Sequence, residues 1–370
     1  MKAVILVGGL GTRLRPLTTT IPKPMLPLLN RPFIATVLAH LRRYGVNEVI
    51  LSTGYLPEVF TNFLTETRGT GMSVEVVMED RPLGTCGAVK NVADRLDETF
   101  LVLNGDILTD INLTNLIDYH RRKEAVATIS LTAVEDPTSY GLVPLESDGR
   151  VSSFVEKPGW DEASTDLINA GTYVLEPEIL AHAPLGENYS FERGLFPHLL
   201  DEDMKVYGFP ASSYWLDIGT PEKFIRAHRD LLEGKLPFDF AGTELKSRVW
   251  IGEGTSVDQD ALLYGPVVMG KNCTIEANAV IIGPASLGDS CHIGAGARLE
   301  GAICFSDCRL EPGAVVRNSV LGRGVEVGKQ AHIDDFAVLG DKLVVGEGNW
   351  LRRGIKVAPD STLEPGMIRF

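Results

Sequence analysis

The 370-residue chain has a formal net charge of -14, with 44% hydrophobic and 23% charged residues. This is an ordinary soluble, globular balance, long enough for two domains, and its acidity argues against nucleic acid or an anionic membrane as the main partner, since both need a basic surface. The five cysteines lack Cys-x-x-Cys spacing, no apolar run approaches a membrane span, and the first apolar run leads to no cleavage-like site, so reduced thiols and a cytoplasmic location are expected.

The chain opens with the apolar run Lys2-Ala-Val-Ile-Leu-Val7, followed by Gly8, Gly9 and Gly11. The run reads as a central parallel strand, buried on both faces. Glycines after such a strand let backbone N–H groups approach a ligand closely. Arg13, Arg15 and Lys23 follow within a few residues and add fixed positive charge, a combination that suits a polyphosphate. There is no Walker-type Gly-Lys-Ser/Thr ending, and Pro16 breaks any dinucleotide-type helix.

Helical spacing over 33–44, 56–67 and 85–96 alternates with strand-like runs over 48–53, 73–78 and 100–103. This βαβαβ pattern predicts a parallel sheet with flanking helices, whose ligands lie at the carboxyl ends of the strands. Asn104-Gly105-Asp106 falls at such an end, where Asp106 is either a turn residue or a ligand for Mg²⁺. Pro82-Leu83-Gly84-Thr85-Cys86-Gly87 opens a helix, with Thr85 either capping it or facing a ligand. A helix over 113–122 and a strand over 125–134 come next, then short strands over 141–145, 151–155 and 168–175. Thr220 and Pro221 read as the N-cap and first turn of a helix running to about Leu232.

Gly-x-Gly-Thr-Arg-Leu with Pro-Lys-Pro-Met downstream resembles the signature of the sugar-1-phosphate nucleotidyltransferases, and the likeness extends over about residues 1–235. The resemblance implies a Rossmann-like, mostly parallel mixed sheet. It implies that Leu6, Gly8, Gly9, Gly11, Thr12, Gly84 and Thr85 bind a nucleoside triphosphate. Arg13 and Lys23 are implied as catalytic, neutralising charge on the α-phosphate and the departing pyrophosphate. Gly141, Glu156, Lys157 and Asn169 are implied to hold the sugar 1-phosphate, and Asp106 and Asp217 a shared Mg²⁺. Leu-Gly-Thr-x-Gly looks most like the guanylyl-transferring members, with GTP and mannose 1-phosphate as the favoured substrates. Thymidylyl-type relatives tend to carry glutamine in this segment, and Gly87 is expected to leave that space empty for a purine.

From Ile251 to Phe305 apolar residues recur at every sixth position, and a second run extends from Val315 to Leu363. Neither helix nor ordinary strand has this period; it is the hexapeptide repeat of a left-handed parallel β-helix. The ten-residue interval between Phe305 and Val315 predicts a loop near 306–312. The expected organisation is a nucleotidyltransferase domain over 1–235, a linker over 236–248 and the β-helix over 249–370. On this reading the opening loop serves the first domain alone, and the repeat joins copies of the chain into a homo-oligomer. Three other readings remain: transfer of another nucleotide to glucose 1-phosphate or an amino-sugar 1-phosphate, a second acyl-transfer activity using His292 or His332, and a non-catalytic regulatory subunit.

Overall fold

The computed structural model describes residues 1–54, 56–67, 71–156, 159–240 and 242–369. Its contacts divide the chain into two compact units that interleave along the sequence. One comprises Met1–Leu10 and Ile34–Asp217, the other Gly11–Phe33 and Ile218–Phe370.

The first unit is built on a nine-stranded mixed sheet. In chain order its elements are β1 (Lys2–Leu6), α1 (Phe33–Arg43, entering from Ile34), β2 (Glu48–Thr53), α2 (Pro57–Thr67), β3 (Ser73–Met78), α3 (Gly84–Lys90) and β4 (Phe100–Asn104). There follow β5 (Ile107–Thr109), α4 (Leu113–Lys123), β6 (Ala127–Ala133), β7 (Gly141–Leu142), β8 (Val155–Glu156), β9 (Leu167–Leu175), α5 (Phe196–Asp201), β10 (Val206–Pro210) and β11 (Trp215–Asp217). Strand order is β8-β7-β9-β4-β1-β2-β3, with β6 pairing β9 and β10. β1 lies between parallel neighbours β2 and β4. A strand buried on both faces needs a continuous apolar run, and Ala3, Val4 and Ile5 are fully buried. The core joins Val4, Val102 and Phe100 to Tyr173, Phe191 and Phe196. The expected helix over 85–96 is shorter: α3 stops at Lys90, and a 3₁₀ turn over Ala93–Arg95 replaces the rest.

In the second unit, α6 (Pro221–Leu232) is capped by the Thr220 hydroxyl, which accepts from Lys223 N at 3.4 Å. Beyond it, three parallel sheets form the β-helix of the hexapeptide class, with eight, seven and six strands. The eight-stranded sheet begins with Thr243–Lys246, antiparallel to Val249–Ile251. Ile275, Ile281, Leu287, Ile293 and Leu299 point into the core, as the period requires.

The expected loop near 306–312 is absent. Arg309–Leu310 is a strand paired with His292–Ile293 and Glu326–Val327. The register shows why. Leu299 pairs with Val316, and Leu287 with Cys304, which in turn pairs with Leu321. Two hexads, Leu299 to Cys304 and Val316 to Leu321, are therefore shortened to five residues, so the middle coils lose one residue each. Cys304, not Phe305, occupies the inward row; Phe305 lies beyond the strand, its ring centroid 6.3 Å from that of Phe224 on α6. A second row holds Cys273, Cys291 and Cys308, whose thiols donate to the carbonyls of Gly288 (3.1 Å), Phe305 (3.2 Å) and Gly322 (3.1 Å). Of the two histidines considered for acyl transfer, His292 pairs with Glu276 at 3.0 Å and His332 packs against Trp350.

The opening loop, expected to serve the first domain alone, passes into the β-helix unit at Gly11, and Gly11–Phe33 belongs to that unit. Lys356 Nζ donates to the Arg13 carbonyl at 2.9 Å, and Thr20 Oγ1 to Asp341 Oδ2 at 2.8 Å. Asn30 Nδ2 donates to the Leu287 carbonyl at 2.6 Å while its Oδ1 accepts from Ser286 Oγ at 3.3 Å. His228 on α6 lies 3.2 Å from the Pro27 carbonyl. No helix among the described residues is long and apolar enough to cross a membrane.

Candidate active site

The ends of β1 and β4 lie side by side, Leu6 opposite Asn104, and Gly105 N donates to the Leu6 carbonyl at 2.9 Å. Gly105 is required by this approach, because a Cβ would lie 2.6 Å from Val7 Cγ1. Gly8 is fitted against Glu79, whereas Gly9 faces open space. Glu79 was not marked by the sequence pattern. Its carboxylate accepts from Ser52 Oγ at 3.0 Å and from Leu83 N at 3.1 Å, tying the end of β2 to the approach of α3.

Asp106 occupies the turn into β5, and β5 pairs antiparallel with β11, Asp217 opposite Ile107. Two carboxylates far apart in sequence thus fall on adjacent positions of one small ribbon. The start of β11 is held twice: Tyr214 N donates to Asp110 Oδ1 at 2.7 Å, and Trp215 Nε1 to the Ala170 carbonyl at 3.0 Å. Asp217 is 9% exposed. Among the described residues no group of three or more His, Cys, Asp and Glu gathers to hold a metal. Two carboxylate donors suit a cation such as Mg²⁺, which takes its remaining oxygens from phosphates and water.

Asn169 lies at an irregularity in β9, where pairing with β6 shifts between Asn169 and Tyr173. Gly171 occupies that step with φ +72°, and a Cβ there would strike the Asn104 side chain. Asn169 Oδ1 accepts from Gly171 N at 2.9 Å and its Nδ2 donates to Tyr173 Oη at 2.8 Å. Gly141 pairs with Glu156 across β7 and β8. Glu156 forms an exposed ion pair with Arg193 at 2.9 Å. Lys157 lies outside the described residues.

Gly84 enters α3 with φ +70°, and an added Cβ would lie 2.7 Å from the Tyr189 carbonyl oxygen. Thr85 does not cap the helix: Leu83 occupies the N-cap with no side-chain bond. The Thr85 hydroxyl instead accepts from Phe191 N at 2.9 Å and donates to Glu192 Oε2 at 3.2 Å. Gly11, Thr12, Arg13 and Lys23 belong to the second unit. Gly11 is left-handed (φ +58°), its carbonyl accepting from Thr18 Oγ1 at 2.8 Å, while Arg13 is exposed and Lys23 is 6% exposed.

Residues 2–234 match the family profile "Nucleotidyl transferase", and residues 263–367 match "GMPPB C-terminal domain". The chain belongs to the nucleotidyl transferase family. It is 40% identical to mannose-1-phosphate guanylyltransferase of Mycobacterium tuberculosis over 85% of this chain and 83% of that one. It is 34% identical to UTP--glucose-1-phosphate uridylyltransferase of Synechocystis over 87% and 88% of the two chains. Among solved structures, HddC from Yersinia pseudotuberculosis complexed with GMP-PN superposes with a TM-score of 0.54 at 32% identity, covering 61% of this chain and 97% of HddC.

One expectation for this nucleotidyltransferase is corrected. Gly87 leaves no empty pocket: a Cβ there would sit 2.5 Å from the Glu187 carbonyl. The amides of Cys86 and Gly87 are likewise taken, both donating to the Tyr189 carbonyl at 2.9 and 3.0 Å. Glycine at 87 serves close packing of the 187–189 segment on α3. Burial, reinforced by Glu192, pushes the Cys86 thiol up to about 12, so it stays protonated. Sequence reasoning also missed Glu192 and Arg193, which reach residues from both expected substrate sets. Their only sequence signal was a charged pair between the apolar residues Phe191 and Leu195.

Proposed function

We propose that the protein transfers GMP from GTP to mannose 1-phosphate, giving GDP-mannose and pyrophosphate. The observation that carries this reading is the M. tuberculosis mannose-1-phosphate guanylyltransferase likeness, which spans more of the chain than the sheet domain alone. A second reading, uridylyl transfer to glucose 1-phosphate, is favoured by the Synechocystis relative at 34% identity.

A phosphate oxygen of the sugar 1-phosphate attacks the α-phosphorus of the triphosphate. The new P–O bond forms as the bond to the β-phosphate bridging oxygen breaks, and pyrophosphate leaves with that electron pair. The nucleophile is already anionic, so no general base is needed, and catalysis reduces to positioning and charge neutralisation. Leu6, Gly8, Gly9, Gly11 and Thr12 supply the backbone around the triphosphate, and Gly84 and Thr85 shape the wall beside the base. Arg13 and Lys23 neutralise charge on the α-phosphate and the leaving pyrophosphate. Glu156 and Asn169, with Gly141 and Lys157, hold the sugar phosphate. Asp106 and Asp217 would hold Mg²⁺, which supplies charge neutralisation to the phosphates.

In the same reading the protein works in the cytoplasm and assembles with copies of itself through the β-helix. The experiment for the metal-bearing pair is pyrophosphate release against Mg²⁺ concentration in Asp217→Ala. We expect kcat to fall about 10²-fold or more and the Mg²⁺ requirement to rise. An unchanged Mg²⁺ profile would remove Asp217 from the site.

A further inference from the structure

Phe191–Leu195 forms a single π-helical turn, capped by the Ser190 hydroxyl, which accepts from Glu192 N at 3.1 Å and Arg193 N at 3.3 Å. Such turns are rare and concentrate at functional sites. We propose that Glu192 is a positioning residue that couples the two substrate pockets, so that filling the nucleotide side organises the sugar-phosphate side and the reverse. The proposal rests on Thr85 lining the nucleotide pocket and Asn169 the sugar-phosphate pocket.

The carboxylate divides its oxygens between the two sides. Oε1 accepts from Tyr173 Oη at 3.0 Å and from Asn169 Nδ2 at 3.4 Å. Oε2 accepts from Thr85 Oγ1 at 3.2 Å and from Ser190 Oγ at 2.6 Å. All four partners donate, which an ionised carboxylate, an acceptor only, satisfies at both ends. Neither end is loose. Tyr173 is fully buried, its ring packed against Phe191 and Phe196. Thr85 is pinned by the amide of Phe191 on the same turn. A shift of Thr85 when a base docks therefore moves the carboxylate, and the carboxylate moves the Asn169 amide. The neighbouring Arg193 carries the same turn to Glu156 at 2.9 Å, a second sugar-side residue.

Linkage makes such coupling reciprocal and measurable. The test is calorimetric binding of a non-hydrolysable GTP analogue and of mannose 1-phosphate, each alone and with the other saturating, together with steady-state KM and kcat. For the wild type we expect each ligand to tighten the other about fivefold or more. In Glu192→Ala the ratio should fall to about one, with kcat reduced more than either KM is raised. Thr85→Val, which removes the Thr85 bond to Oε2 and the acceptor of the Phe191 amide but leaves both bonds to Oε1, should also abolish the coupling. Glu192→Gln presents one acceptor and one donor end, and should recover part of it, because the Thr85 hydroxyl, which accepts only from Phe191 N, can rotate to accept a second bond. Retained coupling in Glu192→Ala and Thr85→Val, absent coupling in the wild type, or a melting loss with uniformly weaker binding would each overturn the proposal. If the wild type turns over a different nucleotide and sugar pair, the GDP-mannose reading fails while the same cycle is run with that pair. If Thr85→Val and Asn169→Ala change neither KM, the pocket assignment itself fails and the proposal with it.

Discussion

Arg13, proposed to neutralise charge on the phosphates, is exposed on a loop that passes through a left-handed glycine two residues earlier. A pre-aligned cation that acts mainly in the transition state is worth about 10²–10³ in rate. Arg13→Ala should therefore lower kcat by that factor with a smaller change in KM, measured by pyrophosphate release. Gly87 tests a different point. Because its Cα faces the Glu187 carbonyl, Gly87→Ala should lower the melting temperature and raise KM for every nucleotide alike, whereas a shift in base preference would restore it as a specificity residue. His228 offers a pH test. Burial drives its pKa from 6.5 down to about 3, while its Nε2 faces the Pro27 carbonyl. Above pH 6.5 it is neutral folded or unfolded and contributes no pH dependence. Below 6.5 the unfolded chain takes up a proton that the folded chain refuses, so stability is lost as pH falls toward 3, by at most about 1.4 kcal/mol per pH unit. His228→Leu should shrink the drop in melting temperature between pH 7.5 and 5.5; an equal drop would assign the acid sensitivity elsewhere.

At the scale of elements, the opening loop and the β-helix are one construction. Lys356 holds the Arg13 carbonyl, Asp341 holds Thr20, and Ser286 and Leu287 hold Asn30. A single exposed hydrogen bond contributes about 0.5–1.5 kcal/mol. If it acts by aligning Arg13, Lys356→Met should lower kcat about threefold to tenfold without changing nucleotide preference, and an unchanged kcat would show that the loop holds its shape without this bond. Little of this was legible in the sequence. The strand and its glycines are written locally, in an apolar run and a punctuation. The bond from Lys356 to Arg13 joins residues at opposite ends of the chain, and neither carries a periodic mark. The β-helix shows the same divide. Its period stood out wherever Ile, Leu or Val filled the inward row. It is obscured where small Cys304 fills that row and the larger apolar Phe305 stands beside it. Likewise the β5–β11 ribbon that sets Asp106 beside Asp217 comes from pairing between distant segments, so the two carboxylates could be joined beforehand only by family resemblance.

For the whole molecule, the two units interleave along the sequence: Gly8, Gly9, Asp106 and Asp217 fold with the sheet, Gly11, Arg13 and Lys23 with the β-helix. If Arg13 and Lys23 act as proposed, the β-helix unit is needed for the reaction. Removing residues from 249 onward should therefore abolish nucleotidyl transfer even if the remaining chain stays soluble; full activity in that truncation would confine the last third to oligomer contacts. The central claim is the chemistry, and it is tested most directly by pyrophosphate release across four nucleoside triphosphates and a panel of sugar 1-phosphates with Mg²⁺, using Asp106→Ala as the control. The account predicts highest kcat/KM for GTP with mannose 1-phosphate and loss of release in the control. Preference for UTP or dTTP, or release that survives Asp106→Ala, would contradict it.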